Sequence, residues 1–247
     1  AVPWRPRARA AATAAVAGAL AVALFAATSL RNEVWRSRVA LWTDAVAKSP
    51  GKARAHFNLA HALSEANQEE AALRAYRTAL PLVRDGTVRW GDLMRNMGAS
   101  LLGLNRFAEA AELLAQATAM EPYNPELENN LAIAYLELGR LPEARRHAQR
   151  AVGIKPDYAA AHNTLGEALY LSAEYPAALA EFDRGRQLDP DSLPALNNYA
   201  TTLQHLGRKP EACQAWAVYG ATRGGFAAAR AQQKLSALGC DQVAAAR

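Results

Sequence analysis

The sequence has few of the residues that build catalytic or metal sites. It holds only two cysteines in 247 residues, Cys213 and Cys240, both near the C-terminus and not in a CxxC arrangement. Nothing here supports a zinc site. The five histidines are dispersed, and none forms HExxH. There is no glycine-rich phosphate loop and no nucleophile elbow. The acidic DPD at 189–191 has a DxD outline, but its proline, Pro190, ends a helix, so a solvated turn is expected there. No catalytic residue, metal ligand or cofactor is therefore assigned, and whether the chain belongs to an enzyme stays open. If it does, the chemistry lies elsewhere.

Acidic residues are also scarce at the N-terminus. Residues 1–38 contain six arginines (5, 7, 9, 31, 36 and 38) against one acid, Glu33, and so carry the whole net charge of +5. The rest of the chain balances 22 basic against 22 acidic residues. A nucleic-acid binder carries its positive charge on the folded domain. Here the charge flanks an apolar run, so no nucleic-acid partner is expected.

That run, residues 10–30, has no charge over 21 residues. As a helix it would span roughly 30 Å, the thickness of a bilayer's hydrocarbon core. Trp4 and Trp35 flank it as interfacial aromatics do. A transmembrane helix in contact with the lipid bilayer is the expectation; a buried soluble helix and an export signal ending near Ala27 are the alternatives. Eleven of the 21 residues are alanine and six are Leu, Val or Phe. Alanine gains little from lipid but suits close helix packing, which favours the last helix of a polytopic protein. Arg5, Arg7 and Arg9 place the N-terminal side in the cytoplasm. The folded part is then outside the cytoplasm, periplasmic if the source is bacterial.

The remainder repeats. Segments beginning at Gly91, Pro125, Ala159 and Leu193 follow one another at 34 residues, and one beginning at Ala53 precedes Gly91 by 38. With the first residue of each as position 1, position 8 is Ala60, Gly98, Ala132, Gly166 and Ala200. Position 20 is Ala72, Ala110, Ala144, Ala178 and Ala212. Position 24 is larger in most repeats: Tyr76, Leu114, Ala148, Phe182 and Trp216. Pro122, Pro156 and Pro190 stand at position 32, and Gly139 and Gly207 mark a turn inside the repeat. The period and these small residues resemble the tetratricopeptide repeat (TPR). The resemblance covers roughly residues 36–222 and implies antiparallel helix pairs, A then B, stacked as an all-α solenoid.

The stretch NEVWRSRVALWTDAVAKSP, residues 32–50, places Trp42, Ala45 and Pro50 at positions 24, 27 and 32 of a repeat that lacks its helix A. Its helix B is expected to bury Val39, Trp42 and Val46 against the first full repeat. The expected order is a cytoplasmic flank and transmembrane helix (1–31), a half repeat (32–52), and repeat 1 with a lengthened second helix (53–90). Repeats 2 to 5 follow (91–124, 125–158, 159–192 and 193–225), then a cap helix and tail (226–247).

His56 and His162 share position 4 and are read as packing residues. Position 6 reads Asn58, Asn96, Asn130, Thr164 and Asn198, with Asn129, Asn163 and Asn197 at position 5. An amide both donates and accepts, so such a ladder suits the backbone of an extended peptide or protein segment. It resembles the asparagine ladder of the TPR region in O-GlcNAc transferase; local preference for asparagine is the alternative. Arg54 and Arg95 match a carboxylate clamp poorly. The order of apolar helix, junction and repeats resembles the C-terminal part of transmembrane-and-TPR O-mannosyltransferases. That implies a non-catalytic, acceptor-binding region of a polytopic glycosyltransferase; a membrane-anchored periplasmic scaffold for envelope protein assembly is the other reading.

Cys213 lies near the start of the second helix of repeat 5, at position 21, and Cys240 follows the cap helix. A turn near Gly224 makes those helices antiparallel, which brings the start of one beside the end of the other. The two cysteines are a candidate disulfide if the compartment is oxidising; two free thiols are the alternative.

Overall fold

The computed structural model describes residues 13–25, 28, 36–83, 88–222 and 225–240. Every regular element among the described residues is helical. Two compact units divide the chain, Ala1–Arg89 and Trp90–Arg247.

In the first unit, residues 13–25 form helix α1, whose Val16, Leu20, Val22, Leu24 and Phe25 are exposed. Among the described residues no helix is long and apolar enough to cross a membrane. The described part of α1 would rise about 20 Å, short of the roughly 30 Å that a crossing needs. The rest of the expected span, apart from residue 28, lies outside the described residues. Helix α2 (Arg38–Lys48) starts at Ser37, whose side chain accepts from the Ala40 N–H and so caps it. Val39, Trp42 and Val46 are half-buried and no residue of α2 is fully buried. The described neighbour of α2 is α3 (Ala53–Glu65), which covers one side of it. Helix α4 (Glu69–Ala79) pairs with α3. Helix α4 stops at Ala79, and a single 3-10 turn follows, Leu80–Leu82; the expected lengthening takes in residues 84–87, which lie outside the described residues. Pro81 lacks the N–H that an α-helix would use and clashes with the preceding turn.

The second unit is a row of helices joined by short turns: α5 (Trp90–Gly103), α6 (Phe107–Met120), α7 (Pro125–Glu137), α8 (Leu141–Ile154), α9 (Ala159–Leu171), α10 (Tyr175–Leu188), α11 (Leu193–His205), α12 (Lys209–Ala221) and α13 (Gly225–Leu238). Each packs on the next, and helices A also touch one another: α5 with α7, α7 with α9, α9 with α11.

Small and large residues interlock inside each pair. A Cβ on Gly166 would stand 2.7 Å from the Phe182 ring, and one on Gly98 2.5 Å from Leu114 Cδ2. Position 8 thus receives the side chain at position 24. The alanines at position 20 are fully buried in all five repeats, so helices A and B approach without a gap.

The turn between A and B recurs at position 15. Gly139 and Gly207 have φ of +70°, and Asn67, Asn105 and Ala173 adopt nearly the same value. The following N–H reaches back five residues, as from Arg140 to the Tyr135 carbonyl at 2.8 Å, which closes the helix as a Schellman turn does. Asparagine tolerates this conformation; Ala173 is strained there. Position 16 then stands at the N-terminus of helix B, with no side-chain bond to the helix backbone. Arg106, Arg140 and Arg208 donate to Glu109, Glu143 and Glu211, three residues on. Those hydrogen bonds hold the carboxyls of Glu143 and Glu211 below the usual range.

The histidines prove to be bonded as well as packed. His162 Nδ1 lies 2.7 Å from Glu181 Oε2, and its Nε2 lies 3.0 Å from the Pro156 carbonyl oxygen. His56 Nε2 meets the Pro50 carbonyl in the same way, at 2.8 Å. Repeat 3 inverts the pair. There the fully buried Glu128 holds position 4, and His147 of α8 lies 2.6 Å from it. Arg150 adds an ion pair to Glu128 at 3.0 Å.

At the C-terminus α13 packs on α12 and buries Ala227 and Ala231. Trp216 is fully buried there, edge-on to Tyr219, and its Nε1 donates to Gln204 Oε1 at 3.0 Å. Cys213 and Cys240 are joined as a disulfide, with Cα atoms 5.8 Å apart. In the chain-entropy picture a loop of this length contributes about 3 kcal/mol.

Candidate functional site

Helices α7, α9 and α11 lie side by side and shape a groove of about 340 Å³ within the second unit. Its floor follows a stripe at positions 2, 5 and 9 of these helices: Ala160 and Pro194, then Asn129 and Asn163, then Ile133 and Glu167. That spacing, i, i+3 and i+7, is one face of an α-helix. A smaller hollow of about 140 Å³ adjoins it, sharing Glu167 and Asn198 and lined also by Tyr170, Leu171 and Thr201.

Three of the six expected groove asparagines meet here: Asn129, Asn163 and Asn198. Asn130 and Asn96 are half-buried on α7 and α5 but do not line this groove. Asn58 is half-buried on α3, in the first unit. The asparagines at position 5 are thus more prominent here than the ladder at position 6. Successive residues on a helix turn by about 100°, so adjacent positions face different neighbours. Thr164 returns its hydroxyl to the Ala160 carbonyl at 3.0 Å.

Position 5 holds unmet hydrogen-bonding capacity. Asn129 is 2% exposed and its Oδ1 has no partner. The Oδ1 atoms of Asn163 and Asn197 are also buried and unpartnered. Asn197 donates through Nδ2 to Asn198 Oδ1 at 3.0 Å. A buried acceptor without a donor is costly, and two of the three, Asn129 and Asn163, line the groove.

Two acidic residues line the groove: Glu167 at position 9, which was not singled out from the sequence, and Asp189 of the DPD, which was read there as part of a solvated turn and follows α10. Enclosure by the groove, and secondly the carboxylate of Glu137, push the Glu167 carboxyl up, although the residue keeps contact with solvent. The stripe at positions 2, 5 and 9 would have revealed Glu167. Asp189 lies outside any helical period. No group of three or more His, Cys, Asp or Glu side chains suited to a metal ion occurs among the described residues.

The comparisons with known proteins agree with this architecture. Residues 53–82 and 101–168 match family models described as tetratricopeptide repeat. Among solved structures, a chain of the APC/C hetero-tetramer Cut9-Hcn1 is 20% identical with a TM-score of 0.67, over 83% of this chain and 40% of that one. This chain therefore corresponds to about two fifths of the Cut9-Hcn1 chain it matches. TTC0263, a thermophilic TPR protein of Thermus thermophilus, is 21% identical with a TM-score of 0.63, over 74% of this chain and 98% of that one. PilF of Pseudomonas aeruginosa is 19% identical with a TM-score of 0.63, over 86% and 95%. No curated protein matches the chain. Residues 53–82 and 101–168 are thus tetratricopeptide repeats, and the row of helix pairs has the fold of the solved TPR structures it resembles.

Proposed function

We propose that the chain is a protein-interaction module whose groove on α7, α9 and α11 holds an extended segment of a partner protein. The observation that carries this is the buried, unpartnered amide oxygen of Asn129 in a groove lined by further asparagines. A peptide backbone in extended form offers N–H donors at regular intervals. A solved structure with a TM-score of 0.53, that of YrrB, is described as a TPR protein with an unusual peptide-binding site. Ala160 is exposed and lines the groove, so Ala160→Trp fills it without disturbing the core. This variant is expected to weaken binding of extended peptides at least about tenfold, a loss of roughly 1.4 kcal/mol, as read by fluorescence anisotropy. Unchanged affinity would overturn the reading.

The finer context rests on the N-terminal part. The uncharged run 10–30, the arginines before it and the junction at 32–50 support a membrane-attached chain with its repeats outside the cytoplasm. The Cys213–Cys240 pairing suits an oxidising compartment. On this reading the repeats orient acceptor protein for a polytopic glycosyltransferase whose catalytic part lies upstream. An open reading frame with no further hydrophobic segments upstream would favour the envelope scaffold instead. A reporter that fluoresces only in the cytoplasm, fused after Arg247, is expected to stay dark. The protein isolated without reductant is expected to titrate no free thiol when unfolded. A bright reporter would refute the placement.

A further inference from the structure

The groove contains groups that accept hydrogen bonds and lacks any cation to answer them. Glu167 and Asp189 bring two carboxylates, and none of the thirteen lining residues is lysine or arginine. Among the described residues neither carboxylate has an ion-pair partner. Nearby cations are engaged elsewhere: Lys155 lies over the Tyr158 ring, and Arg186 pairs with Asp183 and stacks on Tyr199. Independently, the Asn129 side chain is almost wholly buried in the groove wall with its Oδ1 unmet, and Asn163 Oδ1 is unmet beside it.

We propose that this groove receives the side-chain cation of an arginine or lysine in the bound protein segment, with Glu167 and Asp189 as counter-charges and Asn129 and Asn163 as further acceptors. A backbone amide alone would satisfy Asn129 but leave both carboxylates without an opposite charge. A guanidinium offers five donors and one positive charge, which answers both needs. The adjoining hollow at Tyr170 and Leu171 gives its aliphatic stem an apolar wall. A carboxylate set back among groove walls and near Glu137 gains from such a neighbour. The proposal rests on the reading of this groove as a protein-binding site.

The test uses the full chain and four probes: a fluorescent serine–glycine peptide with one central arginine, its citrulline and glutamate twins, and arginine amide as a competitor. The arginine peptide is expected to bind at least about tenfold tighter than the citrulline peptide, because the two differ in charge and hardly in shape. Glu167→Gln and, separately, Asp189→Asn are each expected to erase much of that difference. Both residues are exposed, and circular dichroism checks that the helices persist. The citrulline comparison needs no variant at all. Equal binding of all three peptides, still abolished by Ala160→Trp, would overturn the cation site and leave the protein-binding groove standing. Binding of none would overturn both. Arginine amide competing as strongly as the peptide itself would overturn the assignment to a protein segment.

Discussion

Glu128→Ala is expected to destabilise the second unit by about 3–5 kcal/mol, among the largest effects of any single substitution in this chain. Glu128 is fully buried. It faces His147 at 2.6 Å and Arg150 at 3.0 Å. Removing one member of a buried charged group strands the others without compensation, and breaking such pairs costs about that much. Arg150 is half exposed and recovers water; His147 is buried and does not. Its Nδ1 would lose its acceptor. The repeat that follows shows how to test whether the pair itself matters. There the same two positions carry His162 and Glu181, with the residue types exchanged. The double variant Glu128→His with His147→Glu is therefore expected to recover about 1–3 kcal/mol of the loss. A histidine at 128 would stand toward Pro122 as His162 stands toward Pro156. Chemical denaturation of the single and double variants measures both numbers. A double variant as unstable as Glu128→Ala would show that position 4 of repeat 3 demands glutamate for some other reason.

Trp216→Ala is expected to cost a similar amount, about 3–5 kcal/mol, but with its effect confined locally. Among the described residues Trp216 is the largest fully buried side chain. It lies at the centre of a cluster with Leu196, Ala200, Tyr219, Ala227 and Ala231, drawn from α11, α12 and α13. Its indole N–H also loses Gln204. In a stack of repeats each helix pair leans only on its neighbours. Hydrogen exchange should therefore rise across 193–238 and change little across α7 and α8. The disulfide keeps α13 tethered to α12 through Cys213 and Cys240, so in unreduced protein the loosened end should not separate fully, and reduction should add to the effect. Uniform loss of protection through the whole second unit would contradict the nearest-neighbour picture.

Periodicity alone determined the helical fold. A 34-residue period with small residues at positions 8 and 20 has few physical solutions. Two helices can approach closely only where side chains are small, and the bulk at position 24 must go into the space so made. Gly166 beneath Phe182 is that rule in one contact. Trp42, Ala45 and Pro50 keep the spacing of the repeat, and helix α2 forms there and packs on α3.

What the sequence left undecided came from contacts between separate turns of chain. Pro81 closed α4 at Ala79 in a local 3-10 turn, Leu80–Leu82. Three of the turns at position 15 hid behind asparagine and alanine, because a positive φ is a backbone property that only glycine announces. The exchanged pairs at positions 4 and 23 were visible in principle, since Glu128 to His147 and His162 to Glu181 share one spacing of 19 residues. Only the packed helices show that both are bonded, the first fully buried and the second half-buried. The groove depended most on tertiary structure. Asn129, Glu167 and Asp189 lie on or beside three different helices, and nothing local in the chain says that they face one space. Burial removed water from the Asn129 amide and supplied no protein donor, and that decision belongs to the stacking of α7, α9 and α11 rather than to any residue by itself.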